Sequence, residues 1–562
     1  MNDQQWLTRA ERTNFQETSR YTEDIEFCKS LQKACPWIHF TTFGVSPQGR
    51  DLPLLIVSKE KNFEPASSNK ALIFINNGIH SGEIAGKEAT YMLLREIAIT
   101  RKKESLLDNV DLLIVPIFNV DGHERVSPYN RMNQNGPKEM GWRTSSQNLN
   151  LNRDWMKAEQ PEMQSMLNLF YTWLPDFVID NHVSDGGDFQ YDITWVTDDH
   201  FALAAPVREY FREHFEPRLI TALQKKGHTV NQYFELIDAL DPAKGITAGP
   251  FESRYCTGFC TLNNRPAITT ETHSLKDFRT QVIAHYDLMD EALQIFNADP
   301  KLLKTAVHLA DSQTIDISQP YPIRLKLDRQ KSEPFAYHGI EFVHEQSAIS
   351  GSTKIVYGKN PIELKIPYLR TVVTDVEIKP PLAYAIPAQW TMAVECLHAH
   401  QVAYSRSPKD VTGNVEVYRF RDVHWDSTPF EGHHRAYFKS ELRSEVQTLP
   451  AGTVIVRLDQ RSNKVIMGLL EPDGADSLVS WGYFNMIFED KEYAENYILE
   501  NLAVEMLSKN PALRTEFEER LKDQVFAADP SARLRFFYDR SVYADPMKNV
   551  YPIVRILDPA LL

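Results

Sequence analysis

His80 and Glu83 stand three residues apart, just after the apolar run 71–75 and a polar, glycine-containing turn. An imidazole and a carboxylate at that spacing can share a metal ion. The tetrapeptide is common, so the reading depends on partners elsewhere in the chain. His182 follows a second, mostly apolar stretch, 176–179, and again sits beyond it. A lone histidine there would ordinarily be structural. Joined to His80 and Glu83, it completes a His₂Glu set, which leaves a fourth zinc position open for water. Zinc lowers the pKa of such a water to about 7 and makes it a nucleophile at neutral pH.

Three further groups supply what such a nucleophile would need. Arg143, beside Trp142, and the pair Asn152-Arg153 lie in a loop rich in amides. They read either as a solvated loop or as an anion site, because the guanidinium fork matches a carboxylate. A free peptide carboxylate would suit Asn152 and Arg153 together. Glu271 ends the β-branched run 268–270. It could take a proton from the water and pass it to a leaving amine, or simply cap the helix that follows.

These residues need elements to hold them. The segments 52–57, 71–75, 111–118, 176–179, 191–196 and 267–270 read as strands, with 191–196 expected as an edge or extended strand. Helical patterns begin near Ala85, where Ala89, Met92, Leu93 and Ile97 share one face, and cover 277–296. Alternating strands and helices indicate an α/β fold with a mostly parallel or mixed sheet. In open sheets of this kind ligands bind past the carboxyl ends of the strands. After about residue 311 proline and β-branched residues increase, and 321–327, 353–357, 362–366, 371–378, 415–419 and 453–458 read as strands. Helices are expected over 492–508 and 512–524. No second chemical constellation is legible there, since its histidines are scattered.

Composition narrows the functional classes. The chain has 562 residues, 42% hydrophobic and 11% aromatic, enough for two or three domains with sizeable cores. A net charge of −15 without basic blocks argues against nucleic acid or an anionic membrane surface as the main partner. No run approaches the length of a membrane span. The polar stretch 1–21 lacks the apolar core of a signal peptide. The expectation is a cytoplasmic protein as the chain stands, or a periplasmic or secreted one if a leader has been removed. Five cysteines without framework spacing read as ordinary buried thiols, Cys256 and Cys260 included.

Taken in order, His80-x-x-Glu83, Trp142-Arg143, Asn152-Arg153, His182 and Glu271 make the chain resemble the zinc carboxypeptidases of the M14 type, the carboxypeptidase A class, over roughly residues 21–297. The turn 43–50 fits the same family. The resemblance implies a mixed, mainly parallel eight-stranded sheet sandwiched by helices. It implies one Zn²⁺ per chain held by His80, Glu83 and His182. Arg143 would polarise the scissile carbonyl and steady the oxyanion. Asn152 and Arg153 would grip the substrate's C-terminal carboxylate, and Glu271 would act as general base, then acid.

Two positions depart from the family pattern. Asn150 stands where an Asp usually orients the first zinc histidine, with Asp180 or Asp185 as candidate substitutes. The substrate-capping tyrosine is assigned to Tyr255, although its spacing to Glu271 is short. The pocket for the terminal side chain is expected from 249–259. There Glu252 and Arg254 either select charged side chains or pair with each other.

The resulting expectation is a metallocarboxypeptidase acting on peptides with a free C-terminus. The alternative on the same scaffold is an amidase or deacylase acting on acyl-amino acids or cell-wall peptides. A binding protein with a dead metal site would have lost a ligand, the base or the clamp, and all are present. The expected division is a catalytic domain, 1–312, and a β-rich α+β region, 313–562, which could split into about 313–405 and 406–562. That region is expected to pack on the catalytic domain and narrow access to it; a carbohydrate- or protein-binding task is the alternative.

Overall fold

The computed structural model describes residues 3–66 and 68–562; Met1 and Asn2, which open the polar N-terminal stretch, and Ser67 lie outside them. Ten strands precede residue 274: β1 (Ile38–Val45), β2 (Asp51–Val57), β3 (Ala71–Asn77), β4 (Val110–Val115), β5 (Phe177–Ser184), β6 (Ile193–Val196), β7 (Val230–Gln232), β8 (Glu235–Leu236), β9 (Ile246–Thr247) and β10 (Ala267–His273). Eight of them form one sheet in the order β1-β2-β4-β3-β5-β10-β6-β7. The central strands β4, β3, β5 and β10 run parallel. Both flanks introduce antiparallel pairs, β1 with β2, β2 with β4, and β10 with β6. This is the mixed α/β sheet that the alternation of strand and helix patterns predicts.

The apolar runs are nearly continuous because both faces of the central strands are covered. Successive side chains point to opposite faces. Ile73 and Ile75, Leu112 and Ile114, and Phe177 and Ile179 pack on one side, with the helices Ala85–Ala98 and Phe278–Ala298. Phe74, Leu113, Val115 and Val178 pack on the other, with the helix Pro161–Trp173. This second cluster continues through Tyr384, Val456, Ile466 and Leu478, so the C-terminal half helps cover the sheet.

The structure differs from the sequence expectation where strands meet the cavity. Both β5 and β10 run on beyond their apolar stretches, so His182 and Glu271 lie within strands rather than past their ends. The two strands pair with each other as far as Ser184 and His273. The segment 191–196, expected as an edge or extended strand, contains β6, which lies inside the sheet between β10 and β7.

Two long hairpins dominate the C-terminal half. In one, Glu333–Gln346 pairs with Thr353–Leu369, a single strand where two short ones were expected. Tyr368 and Leu369 also pair with Ile246 and Thr247 of β9, tying this hairpin to the first half. The other pairs Val411–Trp425 with Ala436–Leu449. It belongs to a six-stranded sheet that also contains Ala383–Ile386 and so draws strands from both sides of residue 405. Among the described residues no helix is long and apolar enough to cross a membrane.

Candidate active site

The metal candidates converge because β3 and β5 are adjacent and in register. Asn77 of β3 pairs with Asn181 of β5. Beyond β3 the chain turns through Gly78, whose φ of +68° is costly for any side chain with a Cβ. The helix beginning at Ala85 then passes close to β5. A Cβ on Gly86 would lie 2.4 Å from that of Asn181, so only glycine allows this approach.

His80, Glu83 and His182 are buried, and their ligand atoms lie within 4.8 Å of one another. Both imidazoles turn Nδ1 to the same oxygen, Glu83 Oε2, at 3.2 Å for His80 and 2.9 Å for His182. The opposite nitrogens are held from behind. His80 Nε2 is 3.0 Å from Asn150 Oδ1, and His182 Nε2 is 2.9 Å from Asp180 Oδ2. Supports of this kind fix which nitrogen faces a metal. Asn150 therefore stands behind His80, and the carboxylate of Asp180 serves the other histidine. Asp185 supports neither; it lines the cavity in front.

The other oxygen of Glu83 is also taken. Arg143 Nη1 donates to Oε1 at 2.9 Å, and Arg131 Nη2 lies 2.9 Å from the same atom. Burial pushes the Glu83 carboxyl up, but His80, Arg131 and His182 override it and hold the group well below the usual range. Burial pushes His80 down to about 3, leaving it neutral as a ligand must be. His182 is also buried, but Asp180 beside it raises its pKa well above the ordinary value. Two neutralisable imidazole donors, a carboxylate oxygen at their meeting point and a bonded partner behind each ring fit a zinc ion.

Glu271 is placed by strand register. It is the partner of His182 across the parallel β5–β10 pair. Its Oε2 is buried without a hydrogen-bond partner. Burial pushes its carboxyl up to about 8, with Glu83 and Asp185 adding to the rise and His182 and Arg143 opposing it.

The candidate anion site rests on one short helical turn, Leu151–Arg153, capped by Asn150 Oδ1, which accepts from Asn152 N at 2.9 Å. Asn152 Oδ1 accepts from Trp155 Nε1 and from the backbone N of Cys256. Its amide NH₂ donates to no other group among the described residues. The Arg153 guanidinium stacks over the Tyr255 ring at 4.1 Å. Tyr255 precedes the helix Cys256–Leu262.

All eight residues singled out in the sequence (His80, Glu83, Arg143, Asn152, Arg153, His182, Tyr255 and Glu271) line a single cavity of about 250 Å³. Of the segment expected to form the side-chain pocket, Phe251 and Thr257 also line it. Glu252 and Arg254 do not. They pair with each other at 3.1 Å, and Arg254 donates to Asp476 at 2.8 Å. Sequence reasoning missed Arg131, Tyr233 and Glu235. Arg131 and Glu235 carry no local motif, and Tyr233 lies on a short polar segment that carries no strand pattern.

The family model described as zinc carboxypeptidase, M14, matches residues 25–171. Carboxypeptidase 2 of Trichophyton rubrum is 21% identical over 474 residues, covering 81% of this chain and 82% of that protein. Carboxypeptidase 2 of Trichophyton equinum is 22% identical over 470 residues, with shares of 81% and 82%. Among solved structures, a metallo-carboxypeptidase from Burkholderia cenocepacia is 16% identical, with a TM-score of 0.37 over 50% of this chain and 69% of that one.

Proposed function

The chain belongs to the zinc carboxypeptidase family, M14, and on that premise we propose that it removes single residues from the C-termini of peptides. The observation that carries this reading is the shared cavity. His80, Glu83 and His182, which could hold a metal, line the same space as Glu271 and as the Asn152 amide and Arg153 guanidinium, which could hold a carboxylate.

His80, Glu83 and His182 would hold one Zn²⁺, which when bound would supply a water made nucleophilic at neutral pH. Glu271 would take a proton on its carboxylate and later deliver it to the departing amine. Arg143 spends one Nη1 on Glu83, and its other N–H groups would bind the scissile carbonyl oxygen as negative charge grows there. Arg153 and the Asn152 amide would fix the terminal carboxylate. Tyr255, stacked on Arg153, would close that end of the cavity.

The lining also bears on the terminal side chain. Glu83, Asp185, Glu235 and Glu271 contribute four carboxylates, against the guanidinium groups of Arg143 and Arg153. With both arginines engaged by the substrate backbone and Glu83 by the metal, an acidic terminal side chain would meet the carboxylates of Asp185 and Glu235. Neutral or basic residues are therefore the expected substrates.

Deacylation of small acyl-amino acids on the same scaffold would use the same clamp, so peptide length is the discriminating variable. The test is turnover of matched N-acylated peptides, short and long, with free or amidated C-termini. Cleavage of free acids of several lengths supports a carboxypeptidase. Turnover restricted to single acylated amino acids would replace it with a deacylase.

A further inference from the structure

The carboxylate clamp is held in place from the C-terminal half of the chain. Phe430 and His433 exchange both backbone hydrogen bonds, at 2.8 and 3.0 Å, enclosing a two-residue turn of Glu431 and Gly432. Both central residues have positive φ, +50° and +82°. That is the pattern of a type I′ turn, for which Asn-Gly is the preferred pair. A glutamate at the first position gains nothing from this backbone, and strained residues of this kind collect at functional sites. His433, at the base of the turn, is fixed by Glu159 at 2.8 Å. The tip reaches the clamp, where Glu431 Oε2 accepts from the backbone N of Asn150 at 2.8 Å, across 281 positions of sequence.

Asn150 is the hub of the clamp. Its side chain serves His80 and caps the turn that carries Asn152, while its carbonyl accepts from Arg153 N. We propose that Glu431 is a positioning residue for the substrate carboxylate, holding Asn150 so that Asn152 and Arg153 face the cavity. The proposal rests on the carboxypeptidase reading above. The same half of the chain also steadies the other side of the clamp. Asp476, fully buried, accepts from the backbone N of Arg254 at 2.9 Å and from Ser253 Oγ at 3.1 Å, just before Tyr255.

The turn supplies a diagnostic substitution. Glu431→Asn creates the favoured Asn-Gly pair but shortens the side chain by one methylene and removes its charge. Glu431→Gln keeps an oxygen at full reach of Asn150 N. The experiment uses the full-length, zinc-loaded protein and N-acylated dipeptides with free carboxylates, reading kcat, KM and Tm. Calorimetric binding of the released C-terminal amino acid, whose carboxylate is the one the clamp would hold, reads the clamp without turnover.

For Glu431→Asn the expected result is a Tm at or above wild type, a KM and a product Kd raised on the order of tenfold for the lost charged hydrogen bond, and an unchanged kcat. Glu431→Gln is expected to fall between this variant and wild type. Unchanged KM and Kd in Glu431→Asn would overturn the proposal. So would a parallel loss of Tm, kcat and affinity, which marks a purely structural role. A wild type that cleaves no peptide refutes the carboxypeptidase reading. The product Kd still decides whether Glu431 governs the clamp.

Discussion

Glu271 and His182 are register partners on the adjacent parallel strands β10 and β5, so a candidate general base and a candidate zinc ligand project side by side from one face of the sheet. Backbone hydrogen bonding fixes their relation, and no loop movement is needed to assemble it. If Glu271 moves the proton, Glu271→Gln keeps this geometry and removes only the basicity. The expected loss is roughly 10²- to 10⁴-fold in kcat. Zinc content and Tm should be kept, because the amide occupies the same buried place. Steady-state kinetics with metal analysis checks this, and a kcat near wild type would remove Glu271 from the mechanism.

The supports behind the two histidines differ, and metal retention should show it. Asp180 Oδ2 accepts from His182, while only an amide oxygen, Asn150 Oδ1, accepts from His80. Replacing a carboxylate behind a metal-bound histidine typically weakens affinity about 10- to 100-fold. Asp180→Asn is therefore expected to lose zinc to a competing chelator in that range. Asn150→Asp is expected to retain it at least as well as wild type. Equal retention in Asp180→Asn and wild type would show that the second carboxylate is not supporting the site.

The sheet and the ordered set of candidate residues that come to share one cavity were legible in the sequence. Runs such as 71–75 and 112–115 are apolar throughout because both faces are buried, and histidines, arginines and carboxylates just beyond them stand out. Strand ends were less legible. In β5 and β10 polar side chains continue the strand because they face a cavity, so hydrophobicity stops before hydrogen bonding does. The supports were not legible. Arg131, Glu431 and Asp476 act across contacts that join distant segments, and nothing in their neighbours marks them. For the same reason the C-terminal half carried no chemical signature, although it touches both loops of the clamp.

Glu162 gives a pH-dependent stability test away from the site. It lies in the first turn of the helix Pro161–Trp173, buried, with neither carboxyl oxygen bonded to another residue. Burial pushes its pKa up to about 7 from an ordinary 4.5. An acid whose folded pKa is raised stabilises the fold most below its unfolded pKa, and that contribution is lost as pH rises through the folded value. Wild type should therefore lose Tm relative to Glu162→Gln between pH 4.5 and 8. Thermal melts across that range check it; a constant difference between the two would show that Glu162 does not titrate in this window.

The acidic lining predicts an order of substrates. Peptides ending in Asp or Glu should show kcat/KM on the order of tenfold or more below matched peptides ending in neutral or basic residues, the scale of one unfavourable charge contact in a partly buried site. Glu235→Gln, at the exposed margin of the cavity, should narrow that gap. A library in which acidic terminal residues are released first would contradict this reading of the cavity.

The central claim is that Asn152 and Arg153 recognise a free terminal carboxylate next to the metal-binding set. The direct measurement compares kcat/KM of the zinc-loaded protein for one N-acylated peptide as the free acid and as its C-terminal amide, with Arg153→Ala in parallel. The expected result is a free acid cleaved at least about 10²-fold better than the amide, a preference lost in Arg153→Ala, as removal of a charge-assisted, partly buried pairing implies. Equal turnover of acid and amide by the wild type would contradict it.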